Sequence, residues 1–125
     1  MARLLIVDDD IAIQMTLRHL LEIEGHAIDV ASDGAEAMSR IKEKTYDLIL
    51  LDRSMPIMSG IDVLHILRAT PKYKDLPVFM LTSASVTKEI DEAFEAGAAD
   101  YILKPVNLDH LIAKVRAALK NPPAR

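Results

Sequence analysis

Leu4-Leu5-Ile6-Val7-Asp8-Asp9-Asp10 is the stretch that decides the fold, because four apolar residues are followed directly by three carboxylates. A run of about four to eight apolar residues is typical of a strand that is buried on both faces of a sheet. The run is too short for the core of a signal peptide or for a membrane span. The stretch therefore predicts a buried strand with charged side chains at its carboxyl end.

Four further runs extend this pattern along the chain. Residues 48–51, 78–81 and 101–103 are also continuously apolar, so we expect them to be strands buried on both faces. Residues 26–30 place Asp29 among apolar neighbours, which predicts a half-exposed strand at or near an edge of the sheet. Helical patterns separate the runs, so that strand and helix alternate five times. This alternation predicts an α/β fold, with a parallel sheet covered by helices on both faces and joined by right-handed crossovers.

The five helical segments each have apolar residues spaced on one face. These residues are Ile13, Leu17, Leu20 and Leu21; Ala37, Met38 and Ile41; Ile61, Leu64 and Leu67; Ile90, Ala93, Phe94 and Gly97; and Leu108, Leu111, Ile112, Val115 and Leu119. Asp33 and Glu36 have the spacing of a capping box at the start of the second helix. Gly25 and Gly97 stand where the first and fourth helices are expected to end.

The length and composition of the chain indicate a single domain. A chain of 125 residues is close to the usual domain size of about 150, and we assign residues 1–120 to this domain and 121–125 to a short tail that contains prolines. A net charge of −4 argues against direct binding of nucleic acid and against binding to an anionic membrane. The absence of cysteine excludes disulfides and thiolate metal sites, and it is compatible with the cytoplasmic location that we expect.

Polar side chains follow four of the predicted strands. They are Asp8-Asp9-Asp10, Asp52, Thr82-Ser83 and Lys104-Pro105. In open parallel sheets, ligands bind beyond the carboxyl ends of the strands, so we expect these side chains to share one edge. Clustered carboxylates favour Mg²⁺ as a counter-ion. A carboxylate can also attack a phosphoryl group, with Lys104 neutralising charge and Thr82 donating a hydrogen bond.

The strand-end residues resemble the receiver domain of two-component response regulators, including the chemotaxis regulators. The matching segments are Val7-Asp8-Asp9, Asp52 with Met55-Pro56, Leu81-Thr82-Ser83 and Tyr101-Ile102-Leu103-Lys104-Pro105. The resemblance extends over residues 3–120. It implies a doubly wound (βα)5, flavodoxin-like three-layer sandwich with strand order 2-1-3-4-5, an order that alternation alone does not specify. No output domain is evident, which favours a stand-alone regulator.

The resemblance also implies a magnesium-dependent phosphorylation site. Asp52 would accept a phosphoryl group from a phosphohistidine on a sensor histidine kinase or a histidine phosphotransfer protein. Asp9 would bind Mg²⁺ directly, Asp8 directly or through water, and Ser54 through its backbone carbonyl, with Asp52 as a further ligand. The domain would then be a signalling switch that catalyses only its own phosphorylation and dephosphorylation.

The remaining family positions concern the switch. Lys104 would form an ion pair with the phosphoryl group, and the Lys104-Pro105 peptide bond is expected to be cis. Thr82 and Tyr101 resemble the switch pair, in which the hydroxyl moves toward the phosphoryl group and the ring turns inward. We expect this change to alter the face of the fourth helix, fifth strand and fifth helix, and thereby binding to a downstream protein. Arg53 departs from the family pattern, in which the residue after the acceptor is more often apolar.

A small apolar surface is predicted beside this site. Ile11 and Met15 lie on a different helical face from Ile13, Leu17 and Leu21, and with Pro105 and Val106 they would form a docking patch for the kinase or phosphotransfer helix. Val106 also departs from the family, where an aromatic residue is common. The alternative is that neighbouring loops cover Ile11 and Met15.

Other functions fit the sequence less well. A haloacid dehalogenase-type phosphatase would place a second aspartate two residues after the nucleophile, where this chain has Ser54. A flavin or nucleotide carrier needs a glycine- or hydroxyl-rich phosphate loop, whereas the first loop is acidic. A non-phosphorylated pseudo-receiver would normally lack a site residue, and none is missing. Each acidic residue could have only a structural role, such as capping a helix, but their joint spacing favours the receiver.

Overall fold

The computed structural model describes residues 2–83 and 87–120 and contains five strands that alternate with five helices. In chain order the elements are β1 (Arg3–Val7), α1 (Ile11–Ile23), β2 (Ala27–Ala31), α2 (Gly34–Glu43), β3 (Leu48–Asp52), α3 (Gly60–Ala69), a short 3₁₀ helix (Pro71–Tyr73), β4 (Val78–Thr82), α4 (Thr87–Glu95), β5 (Asp100–Leu103) and α5 (Leu108–Lys120). The predicted tail, residues 121–125, lies outside the described residues. Among the described helices, none has the length and apolar content needed to cross a membrane.

The strands form one parallel sheet in the order β2-β1-β3-β4-β5, which confirms the predicted fold class and strand order. In this register Val7 at the end of β1 pairs with Leu51 on β3, and Asp52 pairs with Leu81 on β4. Because every strand runs in the same direction, the residues that follow β1, β3, β4 and β5 meet at one edge of the sheet.

Alternate residues of the central strands build two separate apolar layers. Leu5 and Val7 pack on the face covered by α2, α3 and α4, whereas Leu4 and Ile6 pack on the face covered by α1 and α5. Each strand side chain points to the face opposite to that of its neighbour, so continuous apolar runs are what a sheet covered on both sides requires. The three-layer sandwich is therefore confirmed.

The two edge strands differ from the centre. β2 is half exposed, as the position of Asp29 predicts. β5 is also an edge strand, and the prediction that it is buried on both faces is wrong, because Leu103 is 42% exposed. Phe94 was assigned to a buried helical face with Ala93, but it is 43% exposed while Ala93 is buried. Both departures follow from the position of β5 at the edge of the sheet. β5 has a neighbouring strand on one side only, so less protein surface is available there to bury Leu103 and Phe94.

Several helix ends follow the predicted chemistry. Asp33 caps α2 by accepting from the amide of Glu36 at 2.7 Å, but the Glu36 carboxylate returns to the amide of Ser32 and not to that of Asp33. The capping box is thus displaced by one residue. Gly25 and Gly97 have φ angles of +94° and +106°, a left-handed conformation that favours glycine at the predicted helix ends.

Candidate functional site

Three carboxylates meet at the carboxyl end of the sheet. Asp8, Asp9 and Asp52 each offer an oxygen within 4.8 Å of the others, in a group that we call the acidic pocket together with Lys104. Asp8 follows β1 and Asp52 ends β3, and these strands are neighbours in the sheet. Asp8 and Asp52 are buried, whereas Asp9 is exposed. The pocket therefore holds two buried negative charges with a third at its mouth.

Lys104, which follows β5, supplies the positive charge of the pocket. Its Nζ lies 2.9 Å from Asp8 Oδ2 and 3.1 Å from Asp52 Oδ1. Asp8 Oδ2 is completely buried. Within the described residues, its charged neighbour is Lys104 Nζ, which lies at ion-pair distance but does not have the geometry of a hydrogen bond. One ammonium therefore serves two buried carboxylates, and the pocket keeps an excess of negative charge.

The pKa shifts follow from this imbalance. Burial and the neighbouring charge of Asp8 raise the pKa of Asp52 above its ordinary value, although Lys104 and the Ser54 amide act in the opposite direction. Burial alone would lower the pKa of Lys104, but its contacts with Asp8 and Asp52 raise it. Lys104 is therefore charged at neutral pH.

The donor set fits a hard divalent cation. Carboxylate oxygens are the ligands that Mg²⁺ prefers, and a few of them suffice when water and phosphate oxygens complete the octahedron. Asp8 Oδ2 is completely buried with Lys104 Nζ 2.9 Å away, so a cation in the pocket would share this oxygen with the ammonium. Asp8, Asp9 and Asp52 are the predicted carboxylate ligands and the structure brings them together. The amide of Ser54 donates to Asp52 Oδ1 at 3.3 Å, and the role of its carbonyl stays a prediction.

Asp10 and Gln14 have supporting roles near Asp8. Asp10 does not join the acidic pocket, because its carboxylate caps α1 by accepting from the amides of Ala12 and Ile13. Gln14 is buried on α1, and its Nε2 donates to the Asp8 carbonyl and to Ser32 Oγ. Gln14 thus joins the loops after β1 and β2 and holds Asp8 in place. The sequence signal for it is a single amide among the apolar residues of the first helix.

Gly60 packs directly on the end of β3. A Cβ at this position would overlap the carbonyl oxygen of Asp52, so only glycine allows α3 to start this close to the strand. The Gly60 amide donates to the Arg53 carbonyl at 2.9 Å. A capping box between Ser59 and Asp62 begins α3 at the same point. The apolar spacing of the sequence predicts the third helix but does not reveal this packing constraint.

The predicted switch residues lie on adjacent strands. Thr82 is buried at the end of β4, and its carbonyl accepts from the Lys104 amide at 2.8 Å. Tyr101 on β5 is half-buried, with its ring edge-on to Phe94 at a centroid distance of 5.8 Å. Lys114 Nζ lies 5.0 Å from the centre of the same ring. The Tyr101 ring is therefore held between α4 and α5.

A shallow groove lies between α1 and the segment after β5. The Lys104–Pro105 peptide bond is cis, and Pro105 and Val106 face α1 across a cavity of about 320 Å³. The other lining residues are Ala12, Ile13, Thr16, Leu17, Lys104 and Leu108.

The predicted docking patch only partly coincides with this groove. Ile11 and Met15 are 66% and 65% exposed, so neighbouring loops do not cover them. They do not line the groove, whereas Ile13, which the sequence places on the buried face, does. The groove and the exposed pair are two adjacent apolar surfaces on α1.

Comparison with known proteins gives matches over most of the chain. The family model of the response regulator receiver domain matches residues 4–116. Response regulator MprA of Mycobacterium avium (strain 104) is 39% identical over 118 residues, which are 94% of this chain and 51% of that protein. MprA of Mycobacterium bovis (strain BCG / Pasteur 1173P2) has the same identity, with 50% of its length covered. The chain thus spans about half the length of these relatives.

Solved structures show the same fold over the full domain. The chemotaxis response regulator CheY4 of Vibrio cholerae has a TM-score of 0.90 at 32% identity, with 95% of this chain and 99% of that chain covered. A two-component response regulator from Clostridium difficile has a TM-score of 0.91 at 31% identity, with 99% and 100% covered.

Proposed function

The chain belongs to the response regulator receiver domain family, and from this premise we propose that Asp52 accepts a phosphoryl group from a phosphohistidine and that phosphorylation changes binding to a downstream protein. The observation that carries the proposal is the position of Asp52, a buried carboxylate 3.1 Å from Lys104 and grouped with Asp8 and Asp9. A buried carboxylate with a raised pKa and a paired ammonium is typical of a reactive site.

The proposed transfer uses the residues of the acidic pocket in distinct roles. Asp52 attacks phosphorus with a carboxylate oxygen, so that an O–P bond forms and the N–P bond of the phosphohistidine breaks. The imidazole leaves as a neutral ring with a proton on its other nitrogen. Lys104 pairs with the phosphoryl oxygens and Thr82 donates a hydrogen bond to one of them. Mg²⁺, held by Asp8, Asp9, Asp52 and the Ser54 carbonyl, would neutralise the carboxylates and the incoming phosphoryl charge. Hydrolysis of the acyl phosphate by water restores the Asp52 carboxylate and releases phosphate.

We place the phosphodonor at the surface of α1. A sensor histidine kinase or a phosphotransfer protein must bring its imidazole to Asp52, and the groove beside Pro105 and Val106 suits an apolar helix face. Ile11 and Met15 extend this surface. Phosphotransfer from the protein donor would then depend on these residues, whereas transfer from a small molecule would not.

The proposed output face comprises α4, β5 and α5. Movement of Thr82 toward the phosphoryl group would vacate space for the Tyr101 ring, and this would change the surface near Lys88 and Glu89. The target is a protein, since a net charge of −4 disfavours direct contact of this chain with nucleic acid. Residues 1–120 are proposed as the receiver unit, acting in the cytoplasm, where a histidine kinase would have access to it.

Acetyl phosphate provides the decisive test. With Mg²⁺ present, intact-mass spectrometry should show one added phosphoryl group, which is lost with a chelator and absent in Asp52→Asn. Asp29→Asn, which alters a carboxylate remote from the acidic pocket, is the matched control and should be labelled like the wild type. Equal labelling of Asp52→Asn, or labelling that a chelator leaves undiminished, contradicts the proposal. The phosphatase alternative predicts fast turnover of acetyl phosphate without accumulation of the phosphorylated protein, and Ser54 in place of a second aspartate disfavours it.

A further inference from the structure

Arg53 connects the acceptor strand to α4 through its side chain. Nη1 donates to the carbonyl of Glu89 at 3.1 Å, and Nη2 pairs with Glu92 Oε2 at 2.9 Å. We call these two contacts the Arg53 bridge. The Arg53 side chain is 18% exposed, so the bridge is partly shielded from water. It joins residues that are 36 and 39 positions apart in the chain.

The backbone of Arg53 is held on two sides by the phosphorylation site. Its amide donates to the Leu81 carbonyl at 2.9 Å, directly before Thr82, and its carbonyl accepts from the Gly60 amide at 2.9 Å. Asp52 precedes it in the chain. Any rearrangement that involves Asp52 and Thr82 is therefore transmitted to the base of the Arg53 side chain.

Among the described residues, α4 has little apolar burial beside the Arg53 bridge, since Ala93 is buried and Ile90 is half-buried. Ala93 is the buried residue of this nine-residue helix, and Phe94 is exposed on the same turn. A short helix with so little apolar burial depends strongly on individual polar contacts. The Arg53 bridge reaches its first two turns, whereas Arg68 donates to the carbonyl of Gly97, just after its carboxyl end.

We propose that Arg53 is a positioning residue that holds the amino-terminal half of α4 against the acceptor strand while Asp52 is unphosphorylated, and so opposes the change to the phosphorylated conformation. The inference rests on the proposed function of Asp52. Phosphorylation would add negative charge one residue from Arg53, and the phosphoryl group would then compete with Glu92 for the guanidinium. Release of Glu92 and of the Glu89 carbonyl would free α4 to move.

Beryllofluoride with Mg²⁺, which mimics an aspartyl phosphate, allows the bridge to be tested by NMR. Amide resonances of residues 96–101 in the free and beryllofluoride-bound wild type define the two conformations. In Arg53→Leu without beryllofluoride, these resonances should be displaced along the line that joins the free and the beryllofluoride-bound positions of the wild type. Their fractional displacement should correspond to about a fivefold larger equilibrium constant for the phosphorylated conformation, the effect of one charge-assisted contact.

Arg68→Leu is the matched control. Arg68 is also half-buried and also donates to carbonyl groups, and its hydrogen bonds within the described residues go to Gly97 and Tyr73 and not to the acceptor strand. Its loss should leave the free resonances of residues 96–101 off the connecting line or unmoved. Glu92→Gln removes the ion pair and keeps the Glu89 contact, so it should give a smaller displacement, about twofold, in the same direction as Arg53→Leu. Since the Glu92 side chain is 44% exposed and the substitution keeps its shape, this variant tests the bridge even where Arg53→Leu does not fold.

The possible outcomes separate this inference from the proposed function. If the wild type shows no response to beryllofluoride, the proposed function fails and the inference fails with it. If the wild type responds but Arg53→Leu and Glu92→Gln remain at the free position, the inference alone is overturned. An equal displacement along the line in Arg68→Leu would also overturn it, because α4 would then respond to any loosening.

Discussion

Two groups of charged residues in this molecule have opposite balances. At Asp29 on the edge strand β2, one carboxylate has several donors: the Tyr46 hydroxyl at 2.7 Å, Lys44 Nζ at 3.3 Å and Arg3 at 3.9 Å. We call this group the Asp29 cluster. In the acidic pocket, two buried carboxylates have one ammonium between them.

The pKa values of Asp29 and Asp52 are shifted in opposite directions. Burial would raise the pKa of Asp29, but the hydrogen bonds from Tyr46 and Lys44 hold it below its ordinary value. Burial and Asp8 raise the pKa of Asp52. A carboxylate with surplus donors stabilises the fold, whereas one that shares a single ammonium is available for a cation and a phosphoryl group. The difference indicates which of two similar clusters is the functional one.

The largest expected difference concerns the two lysines. Lys104→Met should lower the free energy of unfolding by about 2 kcal/mol at neutral pH without Mg²⁺, because two buried carboxylates lose their counter-ion. Lys44→Met should lower it by less than about 0.5 kcal/mol, because Lys44 is half-exposed and Asp29 keeps Tyr46. Urea unfolding measures both values. Addition of Mg²⁺ should stabilise Lys104→Met more than Lys44→Met, because the pocket of Lys104→Met has lost its ammonium. Equal losses of stability in the two variants without Mg²⁺ would contradict the difference between the two clusters.

The two carboxylates should respond to neutralisation with opposite signs. Because the folded pKa of Asp52 is raised, its ionisation destabilises the fold as pH rises through that value, so Asp52→Asn should stabilise at neutral pH by about 1 kcal/mol. Because the folded pKa of Asp29 is lowered, Asp29 stabilises above its unfolded pKa and loses this contribution as pH falls through the folded one. Asp29→Asn should therefore destabilise at neutral pH by about 1 kcal/mol.

Thermal unfolding at neutral and strongly acidic pH distinguishes these effects from packing changes. Both differences from the wild type should disappear at strongly acidic pH, where the wild-type carboxyl groups are also protonated. Differences of the same sign at neutral pH would mean that the two clusters do not differ in charge balance.

The smallest expected effects concern backbone strain at the two ends of the sheet. Ile57, in the loop after Asp52, has a φ of +70° and is fully exposed, whereas Gly25 before β2 has a φ of +94° and open space around it. Ile57→Asn should raise the free energy of unfolding by about 0.5 kcal/mol, since asparagine tolerates this conformation and no burial is lost. Gly25→Ala should lower it by about 0.5–1 kcal/mol. Denaturant midpoints measure both, and a loss of stability in Ile57→Asn would show that this side chain has contacts that outweigh the strain.

The sequence predicts most of the fold because buried parallel strands are continuous apolar runs. The strand order came from the family resemblance, since alternation is compatible with several orders. The length of an apolar run in the sequence does not indicate how many strands lie beside it in the sheet. The burial of β5 on both faces was therefore predicted wrongly. For the same reason, helical spacing placed Phe94 with Ala93, although the sheet edge leaves Phe94 exposed.

The site was predicted less completely than the fold. Asp8, Asp52 and Lys104 were found because each follows a strand and parallel strands end at one edge. The excess of carboxylates over ammonium groups was also predicted, but the individual contacts of Lys104 Nζ with Asp8 Oδ2 and Asp52 Oδ1 were not, because they depend on the folded geometry. Gln14 and the Arg53 bridge were missed for a related reason: their contacts join residues far apart in the chain, and local patterns contain no information about such pairs.

Strand order also decides when the acidic pocket gains its ammonium during synthesis. After β2, each new strand joins a free edge of the sheet: β3 beside β1, β4 beside β3, and β5 beside β4. The three carboxylates are together once β3 has joined, whereas Lys104 emerges from the ribosome only after β5. A sheet that held β1 to β4 without β5 would therefore have these carboxylates at its carboxyl end without Lys104. Docking of the last strand removes that repulsion, so completion of the domain is favoured by electrostatic attraction as well as by apolar burial.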